Sequence, residues 1–208
     1  MKRLYLLRHG QTEFNVKKLV QGRCDSPLTD LGRQQARAAA AWLKAHGVAP
    51  DKVVSSPLGR AMDTASLVAC ELLGPDAAVE PCKGIIERCY GTFEEGPYDV
   101  LPTDVWDPGE DLVPFGGEGS RALQERMVDT LTNLISAEGV ETLLAVSHGS
   151  ASRQFIKAAA PEGFELPAKL PNCAIMIFNF EEEDLQGESD RLQCKFALQQ
   201  IVDPQQSN

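Results

Sequence analysis

Apolar residues in this chain come in two kinds of stretch, short unbroken runs and longer interrupted ones, and the two alternate. The run Leu4-Tyr5-Leu6-Leu7 is apolar at every position and stops abruptly at Arg8-His9-Gly10. A strand without polar alternation is buried on both faces, as in a parallel sheet covered by helices. Residues 30–46 follow Thr29 as N-cap, are rich in alanine and are closed by Gly47, which predicts a helix. A second strand centres on Val53-Val54 and ends at Ser55-Ser56-Pro57, where Ser56 as N-cap and Pro57 in the first turn predict a helix to Leu73. Arg60 then lies in that helix's first turn.

A short strand is expected at 78–80. Periodicity then fails: residues 81–119 are rich in Gly, Pro and aromatic side chains, and 86–119 reads as an irregular lid or substrate segment. It returns at 120–137, where Leu123, Met127, Leu131 and Leu134 recur at helical spacing, and 142–146 is an apolar strand ending at Ser147-His148-Gly149. A helix at 151–160 and strands at 172–180 and 192–201 complete the pattern, the acidic stretch 181–190 between the last two suggesting a hairpin at a sheet edge. The alternation predicts one domain over residues 1–208, a three-layer α/β/α sandwich with a mostly parallel central sheet and an antiparallel edge.

Composition narrows the function. The formal net charge of -10 would repel a phosphate backbone, so no nucleic-acid partner is expected. No apolar run is long enough for a bilayer and the apolar stretch after Met1-Lys2-Arg3 is too short for a secretory signal, so no membrane partner and a cytoplasmic location are expected. Six scattered cysteines without a CxxC pair suit reduced thiols. No HExxH motif, Cys/His cluster or GxxxxGK loop calls for a metal or cofactor, and none is expected. Oligomeric state is open, a dimer included.

Candidate chemistry gathers at strand ends, where ligands of open α/β sheets bind. Two of the three histidines stand there, each followed by glycine, His9-Gly10 and His148-Gly149, and Arg8 directly precedes the first. A glycine after each histidine is expected to let the backbone turn sharply and a ligand approach closely. His46, at a helix C-terminus, takes a structural reading. Arg60 would add a planar guanidinium suited to bidentate phosphate binding. A lone strand-end histidine or arginine is more often structural than functional. Two of each converging in an acidic chain imply an oxyanion ligand.

These residues carry a resemblance. Leu7-Arg8-His9-Gly10-Gln11-Thr12 with Asn15 resembles the signature of the histidine phosphatase superfamily, the phosphoglycerate-mutase-like proteins. Gln21-Gly22, Asp25-Ser26-Pro27-Leu28-Thr29 with Gly32, Ser55-Ser56-Pro57-Leu58 with Arg60, Glu87 ahead of Gly91, and Ser147-His148-Gly149 follow in family order. The resemblance implies that His9 takes a phosphoryl group as phosphohistidine and that Arg8, Arg60 and His148 hold the phosphate. It also implies that Glu87 serves as acid and then as base, while Asn15, Gln21, Gly22 and Gly149 line the phosphate site. The chemistry agrees, because two displacements at a neutral imidazole avoid direct attack by water on a poorly reactive monoester.

The expected activity is metal-independent hydrolysis of a small phosphorylated metabolite, with mutase-type phosphoryl transfer and catalytically idle phospho-ligand binding as alternatives. Glu87-Arg88-Cys89-Tyr90-Gly91 is similar to a mutase stretch, yet residues 89–120 contain no lysine or arginine to hold a second phosphate. The eight acids there, Glu94 and Asp107 among them, suggest that the rest of the substrate is neutral or cationic. Cys82 and Arg88 have the Cys-x5-Arg spacing of thiolate phosphatases, but the intervening Ile85, Ile86 and Glu87 suit a phosphate cradle poorly.

Overall fold

A computed structural model of the chain describes residues 1–161, 163–181 and 195–206. Its sheet has six strands: β1 (Lys2–Arg8), β2 (Lys52–Ser55), β3 (Glu80–Pro81), β4 (Thr142–Ser147), β5 (Ile175–Phe180) and β6 (Phe196–Val202). Their order is β3-β2-β4-β1-β5-β6, parallel from β3 to β1 and antiparallel at β5 and β6. The helices are α1 (Glu13–Lys17), α2 (Asp30–Ala45), α3 (Gly59–Leu73), α4 (Ser120–Ile135) and α5 (Gly149–Ala159).

The unbroken run in β1 has its explanation in two cores. Leu4 and Leu6 face one way and pack with Leu123, Met127 and Leu131 of α4 and Phe155 of α5. Tyr5 and Leu7 face the other way and pack with Ala36, Ala39 and Leu43 of α2 and Ala61, Ala65 and Val68 of α3. Period-two side chains on one strand thus serve both faces of a three-layer α/β/α sandwich, as expected.

Several boundaries move for local reasons. Ser56 does not cap α3. That helix starts at Gly59, and the Asp25 carboxylate, from a distant loop, accepts hydrogen bonds from Gly59 N at 2.7 Å and Arg60 N at 3.3 Å. The short α1 is set by a capping box in which Thr12 and Asn15 bond each other's backbone N–H. It is too short to show a hydrophobic period. α5 begins two residues earlier than expected, directly after His148. The hairpin loop inferred for 181–190 lies, beyond residue 181, outside the described residues; the strands on either side of it are antiparallel neighbours.

The segment 86–119 contains only short 3-10 turns, among them Gly91–Phe93, Tyr98–Val100 and Val113–Phe115. It is nonetheless packed, with Tyr90, Leu101 and Leu112 buried together with Val20 as a small satellite core. An irregular segment can be ordered this way when its apolar residues have one another to bury.

Candidate active site

Strand order builds the site. β4 lies beside β1 in parallel with Arg8 opposite Ser147, so the next residues, His9 and His148, leave the sheet together. Their rings meet edge to face, with centroids 5.2 Å apart. β2 ends with Ser55 opposite Val146 of the same β4, which delivers the start of α3 and Arg60 to that rim. The antiparallel β5 arrives with its beginning there: Arg8 N donates to Ala174 O, Cys173 N to His9 O, and an Arg8 guanidinium N–H to Leu170 O.

A narrow cavity of about 30 Å³ opens at this rim, lined by Arg8, His9, Asn15, Gln21, Gly22, Arg60, Glu87 and Gly149, with Tyr98 and Trp106 forming a wall. His148 does not line it but is fully buried behind His9. A wider groove of about 970 Å³ lies elsewhere, between α2 and the antiparallel edge of the sheet, around Tyr5, Trp42, His46 and Gln200. None of the candidate catalytic residues faces it, and His46 is stacked on Trp42 with Nδ1 bonded to Trp42 O.

The His9 ring has a defined tautomer. Its Nδ1 lies 2.7 Å from Gly10 O, and since a carbonyl only accepts, Nδ1 carries the hydrogen and Nε2 keeps its lone pair in the neutral ring. Burial, then the charges of Arg60 and Arg8, holds the His9 pKa well below its ordinary value; His148 is lowered by burial and by Arg60 as well. Both imidazoles are therefore neutral near pH 7. His148 Nε2 is 2.6 Å from Ser56 Oγ, which is the role Ser56 takes instead of capping.

Among the described residues, three side-chain nitrogens on this rim are buried without a hydrogen-bond partner: Arg8 Nε and Arg60 Nε, which donate, and His148 Nδ1. Buried polar atoms are nearly always satisfied, so such a cluster marks a place where an acceptor binds. The rest of the Arg60 guanidinium is fixed, donating to Cys24 O at 2.6 Å and Gly22 O at 2.7 Å. Gly22 thus acts on the site through its carbonyl, by holding Arg60. Thr12 Oγ1 bonds Gln21 Oε1 at 2.8 Å, while Asn172 Nδ2 bonds both Asn15 Oδ1 and His9 O, a tether that no sequence motif indicated.

Glu87 reaches the site at the N-terminus of α5. Its carboxylate accepts from Ala151 N at 2.8 Å, Ser150 N at 3.2 Å and Arg88 N at 2.8 Å. Free N–H groups at a helix start suit an anion there and fix its orientation. The Arg88 guanidinium is wholly buried, bonding Ser150 Oγ, Ser120 Oγ, Glu118 O and Gly109 O. It ties residues 109–120 to the turn that holds Glu87. Cys82 packs against a hydrophobic core instead, so Cys82 and Arg88 form no thiolate site.

Neither histidine-flanking glycine adopts a positive φ, so a sharp turn is not what they supply. A Cβ on Gly10 would lie 2.5 Å from Gly32 O, and one on Gly149 would lie 3.2 Å from the Trp106 ring and 3.3 Å from Arg8 Nε. Close approach is their function. Acids of the irregular segment also differ from expectation, because several have protein partners. Asp107 pairs with Lys157 and Gln154, Glu118 with Arg126 and Arg23, Glu110 accepts from Arg121 N, and Glu94 accepts from Tyr90 N. Of the segment's carboxylates only Glu87 lines the cavity.

The model of the histidine phosphatase superfamily (branch 1) matches residues 4–190. The chain belongs to this superfamily. Among superfamily relatives, a broad-specificity phosphatase of Saccharomyces cerevisiae is 34% identical over 158 residues, 74% of this chain and 69% of that protein. A probable phosphoglycerate mutase of Proteus mirabilis is 32% identical over 190 residues, covering 87% and 86% of the two chains. The phosphoserine phosphatase of Entamoeba histolytica, solved in complex with phosphoserine, superposes with a TM-score of 0.73 at 27% identity, over 99% of this chain and 98% of that one. The protein is thus a histidine phosphatase superfamily enzyme, of a group whose relatives include both phosphatases and mutases. Among the described residues, no helix is long and apolar enough to cross a membrane.

Proposed function

We propose that this enzyme hydrolyses phosphomonoesters of small metabolites through a phosphohistidine on His9. The observation that carries the reading is a neutral imidazole, locked with Nδ1 on Gly10 O, beside two buried guanidinium N–H groups, of Arg8 and Arg60, that lack a protein acceptor. His9 Nε2 attacks phosphorus and the P–O bond to the leaving group breaks, with Arg8, Arg60 and His148 donating to the equatorial oxygens. Glu87 gives the departing oxygen its proton. In the second step water attacks the phosphohistidine, Glu87 takes the proton from that water, and inorganic phosphate leaves with His9 restored. The cations of Arg8 and Arg60 offset the developing charge, and no step calls on a metal.

Hydrolysis is favoured over mutase chemistry by the charges around the cavity. Among the described residues Arg8 and Arg60 are the cations that line it, with the Lys169 ammonium outside at Trp106, and a retained bisphosphate intermediate would call for a second cluster of cations. Of the mutase-like stretch, Arg88 is saturated by the 109–120 segment and Ser150, and Tyr90, which lines the cavity, donates its Oη to Val105 O at 2.7 Å.

Phosphate release from an aryl phosphate tests the reading, together with trapping of a labelled phosphoenzyme that is stable to alkali and lost in acid, as a phosphohistidine is. Both should vanish in His9→Ala. Binding of inorganic phosphate without turnover by the unaltered chain would instead favour an idle binder, and isomerisation of 3-phosphoglycerate faster than its hydrolysis would favour the mutase.

A further inference from the structure

The antiparallel arrival of β5 places at the rim a segment, 167–174, that belongs to none of the motifs above. Leu170 O accepts from the Arg8 guanidinium, which holds the backbone next to Lys169 close to the cavity residue Arg8. Its Nζ lies 5.7 Å from the centroid of the Trp106 ring, the same ring that has Arg8 Cζ at 5.4 Å. Trp106 lines the cavity and Lys169 does not, so the ammonium sits on the outer side of the wall, exposed to solvent.

We infer that Lys169, seated on Trp106 beside Arg8, binds a carboxylate on the leaving group of the substrate. Two cations share one indole, and among the described residues Lys169 has no hydrogen bond and no ion pair. Burial and the nearby Arg8 charge both disfavour its ammonium, a like-charge arrangement that a bound anion relieves. Cation–π contact with the Trp106 ring orients the side chain without saturating its charge.

The charge count selects the anion. The transferred phosphoryl group takes the free donors of Arg8, Arg60 and His148, which leaves one ammonium for whatever lies beyond the wall. One ammonium matches a monoanionic carboxylate and falls short of a second phosphate dianion. This inference rests on the proposed hydrolysis and deepens it, and it reverses what the acidic composition of residues 89–120 suggested about the leaving group.

Glycerol 3-phosphate and 3-phosphoglycerate share a skeleton and differ by a hydroxymethyl group against a carboxylate, and they form the test pair. The wild-type kcat/KM should favour 3-phosphoglycerate about five- to tenfold, mostly through KM, and Lys169→Met should bring that ratio to near one while Lys169→Arg keeps most of it. The same ratio measured as Kd by calorimetry in His9→Ala and in His9→Ala/Lys169→Met tests the contact without turnover. A ratio indifferent to Lys169 in both assays overturns the inference. So does a larger Lys169 effect on fructose 1,6-bisphosphate against fructose 6-phosphate, which would identify a second phosphate as the anion. Failure of hydrolysis with all substrates would sink the proposed reaction alone, since the binding ratio would still decide the role of Lys169.

Discussion

Arg88→Met removes a wholly buried guanidinium and replaces it with an apolar chain of similar length, so the change isolates polar contacts from cavity formation. Three of its hydrogen bonds are short, to Ser150 Oγ at 2.9 Å, Glu118 O at 2.7 Å and Ser120 Oγ at 2.9 Å. The fourth, to Gly109 O at 3.3 Å, is weaker. Bonds from a charged donor contribute ~1.5–3 kcal/mol each, but the buried cation has no carboxylate partner and its own desolvation offsets much of that gain. We expect a net loss of ~2–3 kcal/mol, which for a chain of this size lowers Tm by about 5–10 °C. Ser150 N, one of the donors to Glu87, loses its anchor as well, so kcat should fall about tenfold or more with KM less affected. Urea and thermal unfolding measure the first effect and steady-state kinetics on an aryl phosphate the second. Arg88→Lys should not rescue, because a point ammonium cannot span four separated acceptors. Unfolding of Arg88→Met at the wild-type urea midpoint would refute the reasoning.

Three further outcomes are expected. Because the native pKa values of His9 and His148 are depressed, the unfolded chain binds more protons once pH falls below ~6.5, so their contribution to stability is full above that pH and is lost below it. The urea midpoint should drop between pH 7.5 and 5.5, and by less in His148→Asn; equal drops would show that His148 is not the source. Gly149→Ala should lower kcat/KM about tenfold by displacing Arg8 and Trp106 while costing under ~1 kcal/mol, because alanine suits a helix better than glycine; unchanged kinetics would mean that those side chains yield freely. Burial pushes the Cys173 thiol up to about 12, so mass spectrometry after brief alkylation of the native protein should find Cys70 modified and Cys173 untouched, the reverse order being the contrary result.

Much of the site could be read in advance because the chemistry sits where local patterns break. An apolar run that halts at Arg8-His9 or at Ser147-His148 announces a strand end, and Arg60 sits in the first turn of a recognisable helix. Residues without a local signal were missed. Asp25 caps α3 from 34 positions away, and the amide of Asn172 reaches the His9 carbonyl across 163. Such contacts depend on which strands are neighbours, and no window of sequence contains that information. Composition likewise counts the acids of residues 89–120 without showing that Asp107 meets Lys157 and Glu118 meets Arg126 in space.

By itself the sequence determined the alternation of strands and helices, the double-faced burial of β1 and the residue types needed for phosphoryl transfer. Periodicity and strand-end residues are properties of consecutive positions. Only the tertiary structure decided that β4 lies against β1 and aligns His148 with His9. It also decided that β5 runs antiparallel, which brings its beginning, with Asn172 and Lys169, to the rim that carries His9 and His148. Strand order and direction are chosen by how two cores close around one sheet, and that choice is what surrounds the legible candidate site with its unannounced neighbours.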